Sequence, residues 1–179
     1  MNLNLSTKER YLLEDQKSHE QLCIDKYNSY ANMTSCSQLK NLCKSIAQIE
    51  QQHLNTINQI LNGQVPSMNS QQQGQQSQQQ QGQQQMSSQQ QMNFQSSQGS
   101  QQQMSSQSSN SQQFPKSDQE ICSDLLMTEK YVSGLYNTSI FEFKNTQVRD
   151  ALNHIQKEEQ EHGDQIYKYM ENKGMYSAK

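Results

Sequence analysis

The chain has 179 residues, 30% of them hydrophobic and 17% charged, with a formal net charge of −3. That is well below the roughly 45–50% apolar content of ordinary domains. The deficit is concentrated: residues 71–113 hold 23 glutamines, 11 serines and 3 glycines in 43 positions and carry no charge. The other 136 residues carry all 31 charged side chains and are about 37% hydrophobic, enough for one modest core. An acidic balance without a basic face excludes an electrostatic footprint for nucleic acid, and no apolar run reaches the roughly 18 residues of a membrane span.

The N-terminus, with Asn2, Asn4, Lys8, Glu9 and Arg10 around two leucines, does not read as a signal peptide, so synthesis in the cytoplasm is expected. Ser6 with Glu9 three residues on is a capping-box start, and apolar residues then recur at Leu13, Cys23, Ile24, Tyr27 and Ala31. The run Asn32–Ser37 breaks the pattern, and Ser35 with Gln38 is expected to open a second helix. That helix carries Leu39, Leu42, Cys43, Ile46, Ile49, Ile57, Ile60 and Leu61, with Gly63 as its stop. Residues 1–63 therefore read as one helical hairpin.

Residues 64–115 have no charge and few apolar groups, so they are expected to be disordered. As a flexible coil these 52 residues would span about 40 Å. That suits a crossover along a whole bundle, and also a loop between adjacent ends. Glutamine-rich tracts can associate through their amides, and glutamine can enter isopeptide crosslinks, but a passive linker is the default reading.

Residues 116–179 repeat the plan. Ser117 with Glu120 opens a third helix carrying Cys122, Leu125, Leu126, Val132, Tyr136, Ile140 and Phe143, and Lys144–Thr146 makes the break. The fourth helix carries Val148, Leu152, Ile155, Ile166, Tyr169 and Met170 and ends near Gly174. Shifting the first hairpin by 109 positions aligns ten identities, among them Glu20 with Glu129, Tyr27 with Tyr136, Glu50 with Glu159 and His53 with His162. A duplication explains them. The predicted fold is all-α, a four-helix bundle of two duplicated helical hairpins joined by a long disordered Gln-rich crossover.

Glu50–His53 and Glu159–His162 are both Glu-x-x-His, which places each pair on one helix face. Each pair interrupts an apolar seam, as do Glu20 between Leu13 and Ile24 and Glu129 between Leu126 and Val132. In each hairpin the two glutamates are equidistant from the break and so lie level. Four buried carboxylates at one level would repel strongly unless protonated or neutralised, and two divalent cations would neutralise them. One Glu from each of two helices plus Glu-x-x-His from each of the other two is the ligand pattern of di-iron and di-manganese centres in ferritin-like bundles. The predicted metal ligands are Glu20, Glu50, His53, Glu129, Glu159 and His162, suited to iron or manganese and less specifically to zinc. Without metal the carboxylates should repel, so Glu50→Gln is expected to stabilise the metal-free bundle.

Tyr27 and Tyr136 either hydrogen-bond these carboxylates or are half-polar core residues. His19 and His154 lie off the seams and read as solvated, and the acidic run 158–161 reads as one inward residue on an otherwise wet face. The four cysteines lack Cys-x-x-Cys spacing and read as small core residues.

The chain also resembles the spore coat F (CotF-like) proteins of endospore-forming bacteria, within the ferritin-like superfamily. The resemblance rests on Leu-Leu-Glu-Asp-Gln-Lys-Ser-His-Glu at 12–20, Gln-Gln-His-Leu-Asn-Thr-Ile-Asn-Gln at 51–59 and Met-Thr-Glu-Lys-Tyr at 127–131. It extends over Ala-Leu-Asn-His-Ile-Gln-Lys-Glu-Glu-Gln-Glu-His-Gly at 151–163 and Gly-Met-Tyr at 174–176. It implies synthesis in the mother cell, deposition in the spore coat and other coat proteins, with further copies of the chain, as partners. The alternative it leaves is a rubrerythrin-like di-iron or di-manganese oxidoreductase acting on peroxide or ferrous iron, although the Cys-x-x-Cys pairs of an attached electron-transfer domain are absent.

Overall fold

A computed structural model describes residues 3–65 and 117–176. The glutamine-rich block, and with it the expectation of disorder there, lies outside the described residues. The described residues form four helices and no strand: α1 (Thr7–Met33), α2 (Ser37–Leu61), α3 (Asp118–Ile140) and α4 (Thr146–Asn172). No helix among them is long and apolar enough to cross a membrane.

Two helix starts form as their sequences predict. The Ser6 hydroxyl accepts from the Glu9 N–H at 3.2 Å while Glu9 Oε2 accepts from the Ser6 N–H at 2.8 Å, and Ser117 and Glu120 reproduce this box at α3. Gly63 (φ 79°) and Gly174 (φ 67°) follow α2 and α4 in the left-handed conformation that glycine tolerates best. Two boundaries differ. Ser35 does not cap α2: the cap position falls to Cys36, which has no side-chain cap bond, because the Thr34 hydroxyl takes the Cys36 N–H at 3.1 Å and sets the turn. The third helix stops at Ile140 rather than running on to Phe143. There the backbone finds partners outside a helix: Glu9 Oε1 accepts the Lys144 N–H at 2.9 Å, and Arg149 donates to the Phe143 carbonyl at 2.8 Å. Phe143 stays buried from the loop.

Contacts between hairpins set the topology. On α1 and α3, Gln16 donates to Ser139 and Thr34 to Asp118, so these helices run antiparallel. On α2 and α4, His53 meets Glu159 and His162 meets Glu50, again antiparallel. Since α1 and α2 are also antiparallel, α2 and α3 are parallel, so the end of α2 and the start of α3 lie at opposite ends of the bundle. The crossover alternative is the one that applies. The His53–Glu159 and His162–Glu50 pairings exchange under the 109-residue shift, so a two-fold relation links the hairpins at this level. Fully buried aliphatics, including Ile46, Ile57, Ile155 and Ile166, lie on the seams before and after the polar level.

Removing residues 68–113 leaves six residues (65–67 and 114–116) between Gln64 and Ser117. They reach roughly 25 Å at most, short of the roughly 35 Å length of α3. The deletion should therefore lower the melting temperature or drive exchange of hairpins into a dimer, read by light scattering. An unchanged, equally stable monomer would refute the crossover.

Candidate metal centre

Each helix contributes to one polar level in an otherwise apolar interior. Glu20 comes from α1, Glu50 and His53 from α2, Glu129 from α3, and Glu159 and His162 from α4. All six are 0–2% exposed. The structure thus brings together every predicted ligand. They form two overlapping groups, Glu20–Glu50–His53–Glu159 and Glu50–Glu129–Glu159–His162, and within each group one ligand atom per residue lies within 4.8 Å of all the others.

Glu50 and Glu159 belong to both groups. Glu50 places Oε2 3.1 Å from His53 Nδ1 and Oε1 3.1 Å from His162 Nδ1. Glu159 places Oε1 3.1 Å from His53 Nδ1 and Oε2 3.6 Å from His162 Nδ1. Glu20 and Glu129 flank them, at 3.5 Å from His53 and 3.7 Å from His162. The imidazole rings lie 5.7 Å apart, inclined by 26°. Glu20 Oε2, Glu50 Oε1, Glu129 Oε2, both Glu159 oxygens and His162 Nδ1 have no hydrogen-bond partner among the described residues. Each such buried atom costs about 1–3 kcal/mol if nothing meets it. These atoms lie close together within the two groups, where a shared cation would meet them once the imidazoles are neutral.

The two tyrosines act across the hairpins. The Tyr27 hydroxyl donates to Glu129 Oε1 and the Tyr136 hydroxyl to Glu20 Oε1. The hydrogen-bonding alternative therefore applies, and each tyrosine orients a carboxylate of the opposite hairpin.

The protonation pattern follows from burial against charge. Burial pushes the Glu20 carboxyl up to about 8 against the pull of His53, and burial together with Glu159 and Glu50 raises Glu129 well above the carboxylate range. Burial opposes ionisation of Glu50 and Glu159 too, but His162 and His53 beside both hold them below the ordinary range. Burial would likewise deprotonate the imidazoles, yet the surrounding carboxylates hold both His53 and His162 well above 6.5. Metal-free, the surroundings thus favour neutral Glu20 and Glu129, ionised Glu50 and Glu159 and imidazolium at His53 and His162, a pattern whose charges cancel among these six residues.

Of the two ways out of repulsion among four anions, protonation is the one open to the metal-free centre. It also reverses the predicted effect of Glu50→Gln, because the imidazoliums need the Glu50 charge.

Three residues read as incidental also lie here. Glu158 is buried rather than wet, with Oε2 3.0 Å from His53 Nε2. His154 is half-buried, with Nε2 3.3 Å from the same oxygen. The Cys23 thiol is buried one turn from Glu20, and burial together with Glu50 and the other carboxylates keeps it protonated. The clue to Glu158 was its place beside the seam, at the edge of the face that Glu159 centres. His19 also differs from a solvated residue: it is half-buried and packs edge-on against Tyr131 at 5.8 Å.

Two outcomes are expected of chelator-treated protein. Glu50→Gln leaves an uncompensated imidazolium and should lower the melting temperature markedly, since breaking a buried pair costs about 3–5 kcal/mol. Glu20→Gln replaces an acid that is already neutral and should change melting little; equal effects would contradict the charge pattern. In pH, Glu20 and Glu129 lose their stabilisation as pH rises from 4.5, Glu20 through about 8, and the histidines add to this loss above 6.5. Glu50 and Glu159 lose theirs only as pH falls below 4.5. Melting should therefore be highest in mild acid and fall steadily from pH 6 to 9; a rise over that range would contradict the assignment.

Residues 117–179 match the Coat F domain family. The match spans the second hairpin, with Glu129, Glu159 and His162, and leaves the first hairpin to its internal likeness to the second. No curated protein and no solved structure matches the chain. The second hairpin is thus similar to the Coat F domain, which supports a likeness of the chain to the CotF-like spore coat proteins.

Proposed function

We propose that the protein is a structural component of the spore coat whose ferritin-like bundle holds two divalent cations at its centre. One cation would lie among Glu20, Glu50, His53 and Glu159, the other among Glu50, Glu129, Glu159 and His162. The observation that carries this is the convergence of buried, unpartnered oxygen and nitrogen atoms from all four helices on two overlapping positions. Charge supports it. Four carboxylates with two neutral imidazoles balance two divalent ions, as protons balance the metal-free centre.

The donor set of carboxylate oxygens and two imidazole nitrogens suits iron or manganese, and zinc less well. Glu50 and Glu159 turn one oxygen toward each histidine and so would serve both ions. Tyr27 and Tyr136 keep Glu129 and Glu20 in place. The near-complete burial of the ligands fits resident ions that tie four helices together. A rubrerythrin-like oxidoreductase would need electrons delivered to this interior, and the chain has no Cys-x-x-Cys pair to carry them. Other coat proteins, and further copies of this chain, are the partners that a coat component requires. Synthesis in the mother cell precedes deposition.

Two experiments test the reading. Protein purified without chelator should carry about two divalent ions per chain by elemental analysis, and metal uptake by stripped protein should release about four protons, one each from Glu20, Glu129, His53 and His162. Affinity should accordingly rise with pH, opposite in sign to metal-free stability. Metal-free protein with unchanged melting after reloading would exclude the centre. Fractionation of purified spores should find the chain in the coat; its confinement to vegetative cytosol would exclude the coat role.

A further inference from the structure

The two-fold relation between the hairpins fails at one point beside the centre. His53 Nε2, on the far side of its ring from the carboxylates, lies 3.0 Å from Glu158 Oε2. That oxygen is held in turn 3.3 Å from His154 Nε2, one helical turn earlier on α4 and nearer solvent. The corresponding atom of the other hairpin, His162 Nε2, is buried and has no hydrogen-bond partner among the described residues. The reason lies in the sequence. Under the 109-residue shift Glu158 corresponds to Ile49 and His154 to Ser45, so the first hairpin has no carboxylate to offer.

A histidine that holds a cation through one ring nitrogen depends on what its other N–H meets. A carboxylate there fixes the tautomer, locks the ring's direction and makes the ligating nitrogen more basic. His53 has this support and His162 does not.

Resting on the two-cation reading above, we propose that Glu158 is a positioning residue that makes the two cation sites unequal. The Glu20–His53 site fills first and holds its ion, while the Glu129–His162 site fills second and exchanges. His154 steers the Glu158 carboxylate from the solvent side. The pair thereby gives a duplicated bundle one tight and one labile position.

The test is a cobalt(II) titration of chelator-stripped full-length protein, followed by visible absorption and by equilibrium dialysis. Wild type should fill in two resolved steps. Glu158→Gln should weaken the first step about tenfold and the second by less than about twofold, since lost outer partners typically cost 10–100-fold in metal affinity. Single-site backgrounds assign the steps. With His162→Ala only the His53 site keeps its imidazole, and Glu158→Gln should weaken it about tenfold; with His53→Ala the same change should matter less than about twofold. Ile49→Glu, which places a carboxylate at the equivalent point behind His162, should strengthen the second step.

Circular dichroism in chelator confirms that each variant is folded. If a histidine variant does not fold, the comparison of wild type, Glu158→Gln and Ile49→Glu decides alone. Equal weakening of both steps by Glu158→Gln, or no weakening of either, overturns the inequality while leaving the two-cation reading intact. Absence of any cobalt binding by wild type overturns both.

Discussion

Six ionisable side chains fill one level of this bundle where a small helical protein would ordinarily place leucines. Their mutual neutralisation is the constraint on which the rest depends. Four glutamates and two histidines cannot all be charged in a dry interior, and they cannot all be left without partners. Protons resolve the conflict in one way, by leaving Glu20 and Glu129 neutral and pairing Glu50 and Glu159 with imidazolium rings. Two divalent ions would resolve it in another. Among the six residues both solutions would have zero net charge.

The two-fold relation makes this economical. A hairpin alone supplies two carboxylates and one imidazole; only two hairpins together supply the pairs that cross between them. Tyr27 reaches Glu129 and Tyr136 reaches Glu20, so neither half orients its own flanking carboxylate. The α2 and α4 contacts are crossed in the same way, His53 with Glu159 and His162 with Glu50. Association of the hairpins and formation of the centre are therefore one event. The parallel course of α2 and α3 sets the two ends to be joined at opposite ends of the bundle, which gives the length of the connection a physical role that its composition does not reveal.

Departures from symmetry then carry information. Ile49 opposite Glu158 and Val132 opposite Cys23 are single-residue differences that leave the backbone plan intact and change the surroundings of the centre.

The sequence by itself determined the four helices, two of their capping boxes, the duplication and all six centre residues. Each is a matter of local spacing: a side chain at i and i+3 shares a helix face whatever surrounds it. Ser35 and Phe143 mark where local spacing failed. The first was decided by the Thr34 hydroxyl, which takes the Cys36 N–H, and the second by a distant partner, Glu9 bonding to the Lys144 backbone. The choice of crossover over adjacent connection, the cross-hairpin work of the tyrosines and the burial of Glu158 and His154 also belonged to the tertiary structure alone. So did the sign of the electrostatics. Sequence counts four acids at one level and expects repulsion unless protons or metal relieve it; only the placement of His53 3.1 Å from Glu50 and Glu159, and of His162 3.1 Å from Glu50 and 3.6 Å from Glu159, decides how the charges balance, because Coulomb energy depends on distances that no linear spacing specifies.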